Sequence, residues 1–428
     1  EVDKDTIFNK NHQVMANGVL LKGGGSPTQR ICMQQPENDC RYYVFYNGLF
    51  TSDINHLGNF SYAIIDMSQD NGLGAVTSKD NVLAGDINYP FSEKATAVSH
   101  CNNKDYWIIG KPQLDDKFYS WLLTDTGLAT TPVISQVATI PVENGDGYMK
   151  FSPDGNLMAA VYKYESMIYR KDSSYIEIYN FDNCSGIFSN PVTIQFPYAY
   201  GISFSPDNTK LYAGVSPEPF LVGDMDTLYL AQYDVSIYNQ PSIINSKKII
   251  FKSTSYAFDA LQLGIDGKIY VSEVDTISTN IEHSFTHLGV IHNPDAVGIA
   301  CNYVPDEVDL QGKFHSAGLP GFPESYFRNF NYLNCDSAKI CSPVGVPVYD
   351  HLQKNIIVFD HLNNVIKINN FDNEIKTIRI YNLLGKVIIE TNYQDVNYID
   401  VNSLVSGIYF FSIYNKNNSI INLKFIKH

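Results

Sequence analysis

The sequence is poor in several features that whole classes of protein require. Lys and Arg number only 30 against 45 Asp and Glu, which gives a formal net charge of -15. Nucleic acids and anionic lipids bind clustered cations, so an acidic chain of this kind is a poor candidate for either partner. No uncharged apolar run approaches the roughly 18 residues that would span a bilayer. The sequence therefore excludes nucleic-acid-binding and membrane-spanning classes.

Helical patterning is also nearly absent. No long stretch repeats apolar residues at the i, i+3, i+4, i+7 spacing of an amphipathic helix. Short β-branched and aromatic runs recur instead, for example at residues 41–46, 106–109 and 175–179, with Gly, Asn, Asp and Pro between them. The 44% apolar content is enough for a packed core and excludes a disordered chain. We predict an all-β protein.

Cysteine is scarce, and the seven residues leave at least one thiol outside an intrachain pair. Cys32 and Cys40 flank a turn sequence at 36–39 and could face each other across a hairpin. Cys335 and Cys341 could close a small ring in a loop. The alternative is that all seven act as small hydrophobic residues in strands. Two disulfides would place the protein outside the cytosol, and a chain that starts without Met is consistent with a removed secretory signal.

An internal repeat organises most of the chain. Residues 148–155 contain Phe-Ser-Pro-Asp-Gly, residues 201–208 contain Phe-Ser-Pro-Asp-Asn, and each precedes a further apolar run. A third copy spans 260–267, and a divergent copy spans 97–103. Pro fixes φ at the second position of such a turn, and the Gly or Asn after Asp adopts the left-handed conformation. Each unit therefore predicts a strand, a tight turn and a second strand.

The length of the repeat, about 50 residues, indicates β-propeller blades of about four strands each. We expect seven blades, with six as the alternative, over residues 1–333. The repeats resemble the WD-type or lactonase-like propellers of Bacteroidetes surface proteins. The resemblance rests on the two Phe-Ser-Pro-Asp turns and on residues 11–18, 93–98, 289–294 and 318–322. The family has an inner strand before the segment equivalent to 11–18, and almost nothing precedes it here. Either the first blade is truncated, or residues 311–330 close the ring by pairing with the N-terminal strands.

A change in composition after residue 333 predicts a second domain. Residues 334–347 are rich in Cys, Ser and Pro and are interpreted as a linker. Residues 348–428 contain six or seven short strands, which predict a small immunoglobulin-like β-sandwich. The alternative is an accessory sandwich without a role in export.

The last 75 or so residues resemble the type A C-terminal sorting domain of cargo of the type IX secretion system. The residues that carry the resemblance are 380–387, 399–400, 404–410 and 424–427. The family usually opens with Tyr-Pro-Asn-Pro, whereas this chain has Val-Phe-Asp-His-Leu at 358–362. The resemblance implies transit through the periplasm, recognition by the outer-membrane translocon and its barrel shuttle, and a location at the cell surface or in the medium. The residues that it assigns to recognition are Gly385, Lys386, Gly407, Tyr409, Lys424 and Lys427.

Catalytic motifs are not evident. The sequence has no Gly-x-Ser-x-Gly, His-Glu-x-x-His, Walker loop or Cys-x-x-Cys. We expect no cofactor, no metal site and no enzymatic activity. Ligands of propellers bind where loops converge at the mouth of the central channel. The repeat alignment gives these candidate ligand-binding residues: Glu93, Lys94, His100, Tyr148, Lys150, Tyr200 and Asp259.

Three functions are compatible with this sequence. The first is a non-enzymatic surface protein whose propeller binds an extracellular glycan or protein. The second is a hydrolase or lactonase that acts at the channel mouth. The third is a structural surface protein or passenger without a ligand. The first is favoured, because equivalent repeat positions are mostly apolar, Tyr, Lys or Ser rather than metal-binding carboxylates.

Overall fold

The computed structural model of the chain describes residues 2–3, 5–22, 30–48, 55–139, 147–162, 174–216, 228–275, 286–315, 318–327, 356–360, 365–369, 375–382, 386–392, 398–405, 407–415 and 420–427. The chain divides into two compact units, Glu1–Val344 and Gly345–His428. The predicted linker at 334–347 lies outside the described residues. No helix among the described residues is long and apolar enough to cross a membrane.

The prediction of an all-β, propeller-type fold is confirmed. Five consecutive antiparallel sheets run through the described part of the first unit, and we call them blades 1 to 5. The strands of blades 1 and 2 are β3 (Ile31–Gln34), β4 (Arg41–Asn47), β5 (Phe60–Asp66) and β6 (Ala75–Ala84), then β7 (Phe91–Ser99), β8 (Tyr106–Pro112), β9 (Lys117–Thr124), β10 (Gly127–Leu128) and β11 (Val133–Gln136). A short N-terminal pair, β1 (Val2–Asp3) and β2 (Thr6–Ile7), precedes them. The predicted total of seven or six blades stays a prediction.

Blades 3 to 5 each have four strands in sequential order. Their strands are β12 (Met149–Phe151), β13 (Leu157–Tyr162), β14 (Tyr175–Asp182) and β15 (Ile187–Gln195); β16 (Ala199–Phe204), β17 (Lys210–Val215), β18 (Leu228–Asp234) and β19 (Lys248–Ser253); and β20 (Tyr256–Leu263), β21 (Ile269–Asp275), β22 (His287–Ile291) and β23 (Tyr303–Asp309). The helix α1 (Gln240–Asn245) connects β18 to β19.

Each copy of the sequence repeat forms the hairpin between the first two strands of a blade, as predicted. Gly155, Asn208 and Gly267 adopt positive φ values of 75°, 66° and 77° after the turn aspartate. The hydroxyls of Ser152 and Ser205 accept backbone hydrogen bonds from the start of the following strand. The Ser-Pro-Asp sequence therefore forms a turn that fixes the register of each hairpin.

These turns also join neighbouring blades. The backbone N–H of Asp154 in blade 3 donates to Oδ1 of Asn208 in blade 4 at 2.8 Å. The N–H of Asp207 in blade 4 donates to Oδ1 of Asp295 in blade 5 at 3.0 Å. Side-chain acceptors thus satisfy turn donors across the blade boundaries, where each bond contributes about 0.5–1.5 kcal/mol.

A disulfide between Cys101 and Cys184 joins blades 2 and 3 at the same end, with their Cα atoms 5.0 Å apart. The indole N–H of Trp107 reinforces this connection by donating to the carbonyl of Asn183 at 2.9 Å. Sequence analysis did not find this pair. Cys101 lies in the turn of the divergent repeat, and this position is the sequence feature that could have indicated a disulfide to the neighbouring blade.

The predicted bridge between Cys32 and Cys40 is wrong. Cys32 is a free thiol and Cys40 is disulfide-bonded. The predicted hairpin does form, but its register pairs Cys32 with Val44. Cys40 lies in the turn before β4, so the two sulfur atoms do not face each other across the ladder. The predicted bridge between Cys335 and Cys341 lies outside the described residues.

The core of the first unit lies between successive blades. One cluster of buried side chains extends from blade 3 through blade 5, a second joins blades 2 and 3, and a third joins blades 1 and 2. Trp121, Phe60 and Phe91 lie in the third cluster, and their ring centroids are 5.5–6.2 Å apart. Burying a side chain of this size contributes about 1.5–3 kcal/mol, so each blade depends on its neighbour.

Of the two alternatives for the start of the propeller, closure of the ring by residues 311–330 through the N-terminal strands is wrong for the described residues. β1 pairs with β2, and residues 318–327 belong to no sheet. This segment, which we call the plug, lies against the first strands of the blades. It lines one small cavity together with Ile31 of β3, residues 95–97 of β7 and residues 149–150 of β12. The plug therefore occupies the space between the first strands, which we call the channel.

The second unit is a sandwich of two sheets, as predicted. One sheet has the order β24-β25-β28 and the other β27-β26-β29-β30. The strands are β24 (Ile356–Asp360), β25 (Val365–Asn369), β26 (Ile375–Asn382), β27 (Val387–Asn392), β28 (Tyr398–Asp400), β29 (Gly407–Asn415) and β30 (Ile420–Lys427). The core between the sheets contains Ile366, Ile378, Ile380, Ile399 and Phe411.

Candidate functional site

Tyr148, just before β12, lies at the centre of the predicted ligand-binding residues. Its ring meets that of Tyr200 edge-on with the centroids 5.5 Å apart, and its N–H donates to the carbonyl of Tyr200 at 3.0 Å. Burial and the nearby carboxylates of Glu93, Asp259 and Glu324 raise the pKa of the Tyr148 phenol well above its usual range. The structure therefore brings together residues from the N-terminal ends of several first strands, and their role in ligand binding stays a prediction.

The carboxylates of Glu93 and Asp259 make contacts between blades. Oε1 of Glu93 in blade 2 accepts from the N–H of Gly147 at 2.7 Å, directly before blade 3. Oδ1 of Asp259 in blade 5 accepts from the hydroxyl of Ser216, directly after β17 of blade 4. Both carboxylates are buried. They fix the geometry of the channel end by joining adjacent blades.

Lys94 belongs to a buried polar cluster between blades 2 and 3. Its ammonium and that of Lys111 lie 5.7 Å and 5.6 Å from the ring centroid of Tyr162, within the range of a cation–π contact. Burial lowers the pKa of Lys111 to about 8, against the opposing attraction of Glu177. The hydroxyl of Tyr179 donates to Glu177 and shares a 2.8 Å hydrogen bond with Tyr162.

Sequence analysis missed most of this cluster, namely Lys111, Tyr162, Glu177 and Tyr179. The available signal was a charged residue within each of two apolar runs, at positions 106–112 and 175–181. Long charged side chains are almost never fully buried unless they are paired, so their position in such runs indicates a buried polar network.

His100 is separated from the other candidates. It follows Ser99 at the C-terminal end of β7, whereas Glu93 and Lys94 lie near the N-terminal end. A strand rises about 3.3 Å per residue, so His100 and Glu93 lie about 20 Å apart along the strand. Nδ1 of His100 accepts the N–H of Asn102, and its ring lies beside Trp107. Its prediction as a channel-mouth residue is wrong, because it supports the turn at the opposite end of blade 2.

Lys150 lies deeper in the channel and pairs with Glu324 of the plug at 3.1 Å. Its ammonium also donates to the carbonyl of Leu261 at 2.7 Å and to Oε1 of Gln262 at 2.6 Å. Burial lowers the pKa of Lys150 and raises that of Glu324, and their mutual attraction opposes both shifts. Three acceptors match the three N–H donors of an ammonium, so the ionised pair is the form that fits this geometry.

The plug makes further contacts along its length. The hydroxyl of Tyr148 accepts from the N–H of Leu319 at 3.0 Å. The hydroxyl of Ser325 bonds both the N–H and the hydroxyl of Ser99 at 3.0 Å. The ring of Tyr326 packs edge-on against Tyr106, with the centroids 5.6 Å apart. The channel therefore holds the plug, whose last four residues Glu324–Phe327 form a short 3-10 helix, through both its backbone and its side chains.

A small cavity of about 20 Å³ remains beside the plug, with Thr96, Tyr148, Lys150, Phe322 and Glu324 in its lining. Oε2 of Glu324 is buried and has no hydrogen-bond partner among the described residues. A cavity of this size holds about one water molecule. The plug thus fits the channel incompletely at its charged residue. No three His, Cys, Asp or Glu side chains come together as a metal site anywhere in the described ranges.

The residues predicted for export recognition lie in the second unit. Lys386 is exposed, and its N–H donates to Oδ1 of Asn382 at 3.0 Å in the turn before β27. Gly407 begins β29 opposite Lys427, and Lys424 pairs with Phe410 in the same ladder. Tyr409 is buried, and its hydroxyl donates to the carbonyl of Val405 at 2.9 Å. Gly385 lies outside the described residues, and the recognition roles stay predictions.

Comparison with known families identifies the second unit. Residues 362–428 match the family described as the secretion system C-terminal sorting domain. The predicted type IX sorting domain is thereby confirmed, and it implies interaction with the type IX machinery and export across the outer membrane. No curated protein sequence matches the chain.

Several solved structures are similar to the chain at low sequence identity. Hydrazine synthase from Kuenenia stuttgartiensis is 11% identical with a TM-score of 0.40, covering 94% of this chain and 97% of the other. A protein described as a 6-phosphogluconolactonase from Bacteroides uniformis is 10% identical with a TM-score of 0.37, covering 70% and 90%. Its counterpart from Bacteroides fragilis is 9% identical with a TM-score of 0.37, covering 70% and 88%. Likeness at this level assigns no activity to this chain.

Proposed function

We propose that this type IX cargo delivers its propeller to the cell surface or the medium as a non-enzymatic binding module. The sorting domain at 362–428 supports the route. The disulfide between Cys101 and Cys184 agrees with it, because disulfides persist in oxidising compartments outside the cytosol.

One observation supports binding above all. The first strands of the propeller line a channel that holds the plug through the hydroxyl of Tyr148, the ammonium of Lys150 and the Ser99 backbone. The polar groups predicted as ligand contacts are thus placed to hold a chain, and Glu93 and Asp259 keep the blades around them in register. A surface of this kind favours recognition of an extracellular protein or glycan.

The test uses the purified full-length chain on two arrays, one of glycans and one of extended peptides, with a Lys150→Met variant as the matched control. We expect saturable binding to at least one class, and a change in that binding when Lys150 is replaced. A parallel assay follows acid release from a simple aldonolactone by pH-stat. Turnover of the lactone, or an array profile identical in the two proteins, would reject the binding role.

A further inference from the structure

We propose that the channel is a peptide-binding groove, that the plug (residues 318–327) fills it in cis as an autoinhibitory segment, and that its ligand in trans is a short peptide with a glutamate that adopts the backbone of the plug, including its 3-10 helix at Glu324–Phe327. This inference rests on the proposed binding function and names the class of its ligand. The plug serves as a template for the ligand, because each of its contacts shows a feature that the channel can recognise.

Backbone recognition comes from one phenol. The hydroxyl of Tyr148 accepts from the N–H of Leu319 at 3.0 Å and lies 3.4 Å from the carbonyl oxygen of the same residue. A hydroxyl can accept and donate at the same time, so Tyr148 can hold both backbone polar groups of one residue. This contact is independent of the side chain at that position and selects for peptide rather than for sequence.

Charge recognition comes from Lys150. Its ammonium is buried, and its acidic partner is Glu324 of the plug at 3.1 Å. Gln262 supports the same carboxylate, with its amide nitrogen 3.5 Å from Oε1. A buried ammonium needs a counter-charge, so the groove strongly prefers a carboxylate at this place in its ligand. The chain has a net charge of -15, so the buried ammonium of Lys150 gives the groove a charge opposite in sign to that of the whole protein.

The remaining contacts fix direction and spacing. The residue after Glu324 places its hydroxyl on the N–H of Ser99 at 3.0 Å. The next residue, Tyr326, packs edge-on against Tyr106 and reaches the sulfur of Met33 at 3.6 Å. The groove therefore recognises a carboxylate, a small hydroxyl residue and an aromatic residue in consecutive positions.

The plug is suited to displacement. It belongs to no sheet within the described residues, so its departure breaks no strand ladder. Phe322 is 51% exposed, and Oε2 of Glu324, beside the 20 Å³ cavity, has no hydrogen-bond partner in the part of the chain that the structure describes. Pro320 and Pro323 restrict the free segment, which reduces the entropy lost when it returns to the groove and so favours reclosure after a ligand leaves. An external peptide has to compete with the tethered plug, whose effective concentration is set by the chain that links it to the propeller.

The first experiment replaces residues 319–326 of the full-length chain by a Gly/Ser segment of equal length. The probe is a fluorescein-labelled synthetic peptide, Leu-Pro-Gly-Phe-Pro-Glu-Ser-Tyr-Phe, followed by fluorescence anisotropy. We expect the peptide to bind saturably to the chain with the Gly/Ser segment, which we call the replaced chain. It should bind at least tenfold more weakly to the unmodified chain, in which the plug competes for the groove. A peptide with Gln in place of Glu should bind at least tenfold more weakly, and Lys150→Met in the replaced chain should abolish that difference.

If the replaced chain does not fold, a second variant tests the displacement of the plug. Ser325→Cys in the full-length chain, with Cys32→Ser to remove the free exposed thiol, reports plug exposure through its rate of reaction with a maleimide. We expect an excess of the unlabelled nonapeptide to accelerate labelling severalfold, whereas a scrambled peptide does not.

Two results would overturn the inference. One is a folded replaced chain that binds no plug peptide, or binds the Glu and Gln peptides equally. The other is a maleimide rate that the nonapeptide leaves unchanged. If the arrays then still show another ligand, the inference fails alone and the proposed function stands. Lactone turnover, in contrast, would reject the proposed function.

Discussion

The ammonium of Lys150 on strand β12 lies 3.1 Å from the carboxylate of Glu324, and both side chains are buried although 174 positions separate them in the sequence. The pair joins the wall of the propeller channel to the plug that fills it. A contact of this kind is costly to break, because either partner alone would be a charge in an apolar surrounding.

We expect Glu324→Gln to lower the free energy of unfolding of the propeller by about 3–5 kcal/mol, since it leaves the ammonium of Lys150 buried without a counter-charge. Urea unfolding followed by Trp fluorescence measures this, because both tryptophans, Trp107 and Trp121, lie in blade 2. The double variant Lys150→Met with Glu324→Leu should regain most of the loss. The control is Glu37→Gln, which removes an exposed pair with Lys104 and should cost less than about 1 kcal/mol. Equal losses in Glu324→Gln and Glu37→Gln would contradict this account.

Removing the disulfide with Cys101→Ala and Cys184→Ala should destabilise the propeller by about 2–5 kcal/mol, because the bond closes a loop of 83 residues in the unfolded chain. A dithiothreitol-treated sample of the unmodified chain should show a fall in melting temperature at least as large, because dithiothreitol also reduces the disulfide of Cys40. The matched control is Cys32→Ala, which removes a free thiol and should leave the melting temperature within about one degree. A double variant as stable as the parent would show that the bond contributes nothing.

The buried carboxyl of Glu273 should make stability fall as the pH rises. Burial raises its pKa from 4.5 to about 7, with the hydroxyl of Tyr303 and the N–H of Asp306 as its donors. The folded state then binds the proton more tightly than the unfolded state, so this stabilisation is complete below pH 4.5 and is lost as the pH rises through 7. The loss amounts to about 3 kcal/mol.

The check is a series of urea unfolding curves from pH 4.5 to 8 on the parent and on Glu273→Gln, which cannot ionise. The difference in unfolding free energy between the two proteins should grow in favour of the variant as the pH increases. A difference that is constant across this range would show that Glu273 keeps an ordinary pKa.

Deleting residues 348–428 should leave a folded propeller that accumulates in the periplasm of a host with a type IX translocon. The reason is that residues 362–428 carry the sorting domain, and the propeller has its own core. Fractionation and immunoblotting measure the distribution, and a reporter protein fused to residues 345–428 provides the reciprocal case. Recovery of the truncated chain in the medium would disprove the assignment of the export signal.

Local sequence predicted local structure well. The Phe-Ser-Pro-Asp turns form the expected hairpins because Gly155 and Asn208 adopt the left-handed conformation within the turn itself. The strands of the sorting domain follow from runs of β-branched residues, which favour the extended backbone of a strand. These features depend on interactions over a few residues, and the sequence shows those residues side by side.

Long-range partners could not be predicted in the same way. The repeat alignment identified Tyr148 and Lys150, but their partners in the plug lie about 170 residues away and belong to no repeat. The partner of Cys101 is 83 residues distant. His100 was misplaced because the alignment gives a position within a repeat without stating which end of the strand it occupies. Such pairings are decided by how the blades meet, and the sequence pattern of one blade does not contain that information.

The order of the plug contacts along the chain sets how the propeller responds to mechanical load. Once the disulfide of Cys40 is reduced, a pull transmitted from the C-terminal side enters the described part of the propeller at the end of the plug. Tyr326, Ser325 and Glu324 then bear tension one after another, and Leu319 follows. Because these contacts bear the load one after another, they break singly and not together. The plug therefore leaves the channel before any blade is strained. Forced unfolding is governed by the rate of the step under load, and in this molecule that step would be the rupture of Lys150 from Glu324.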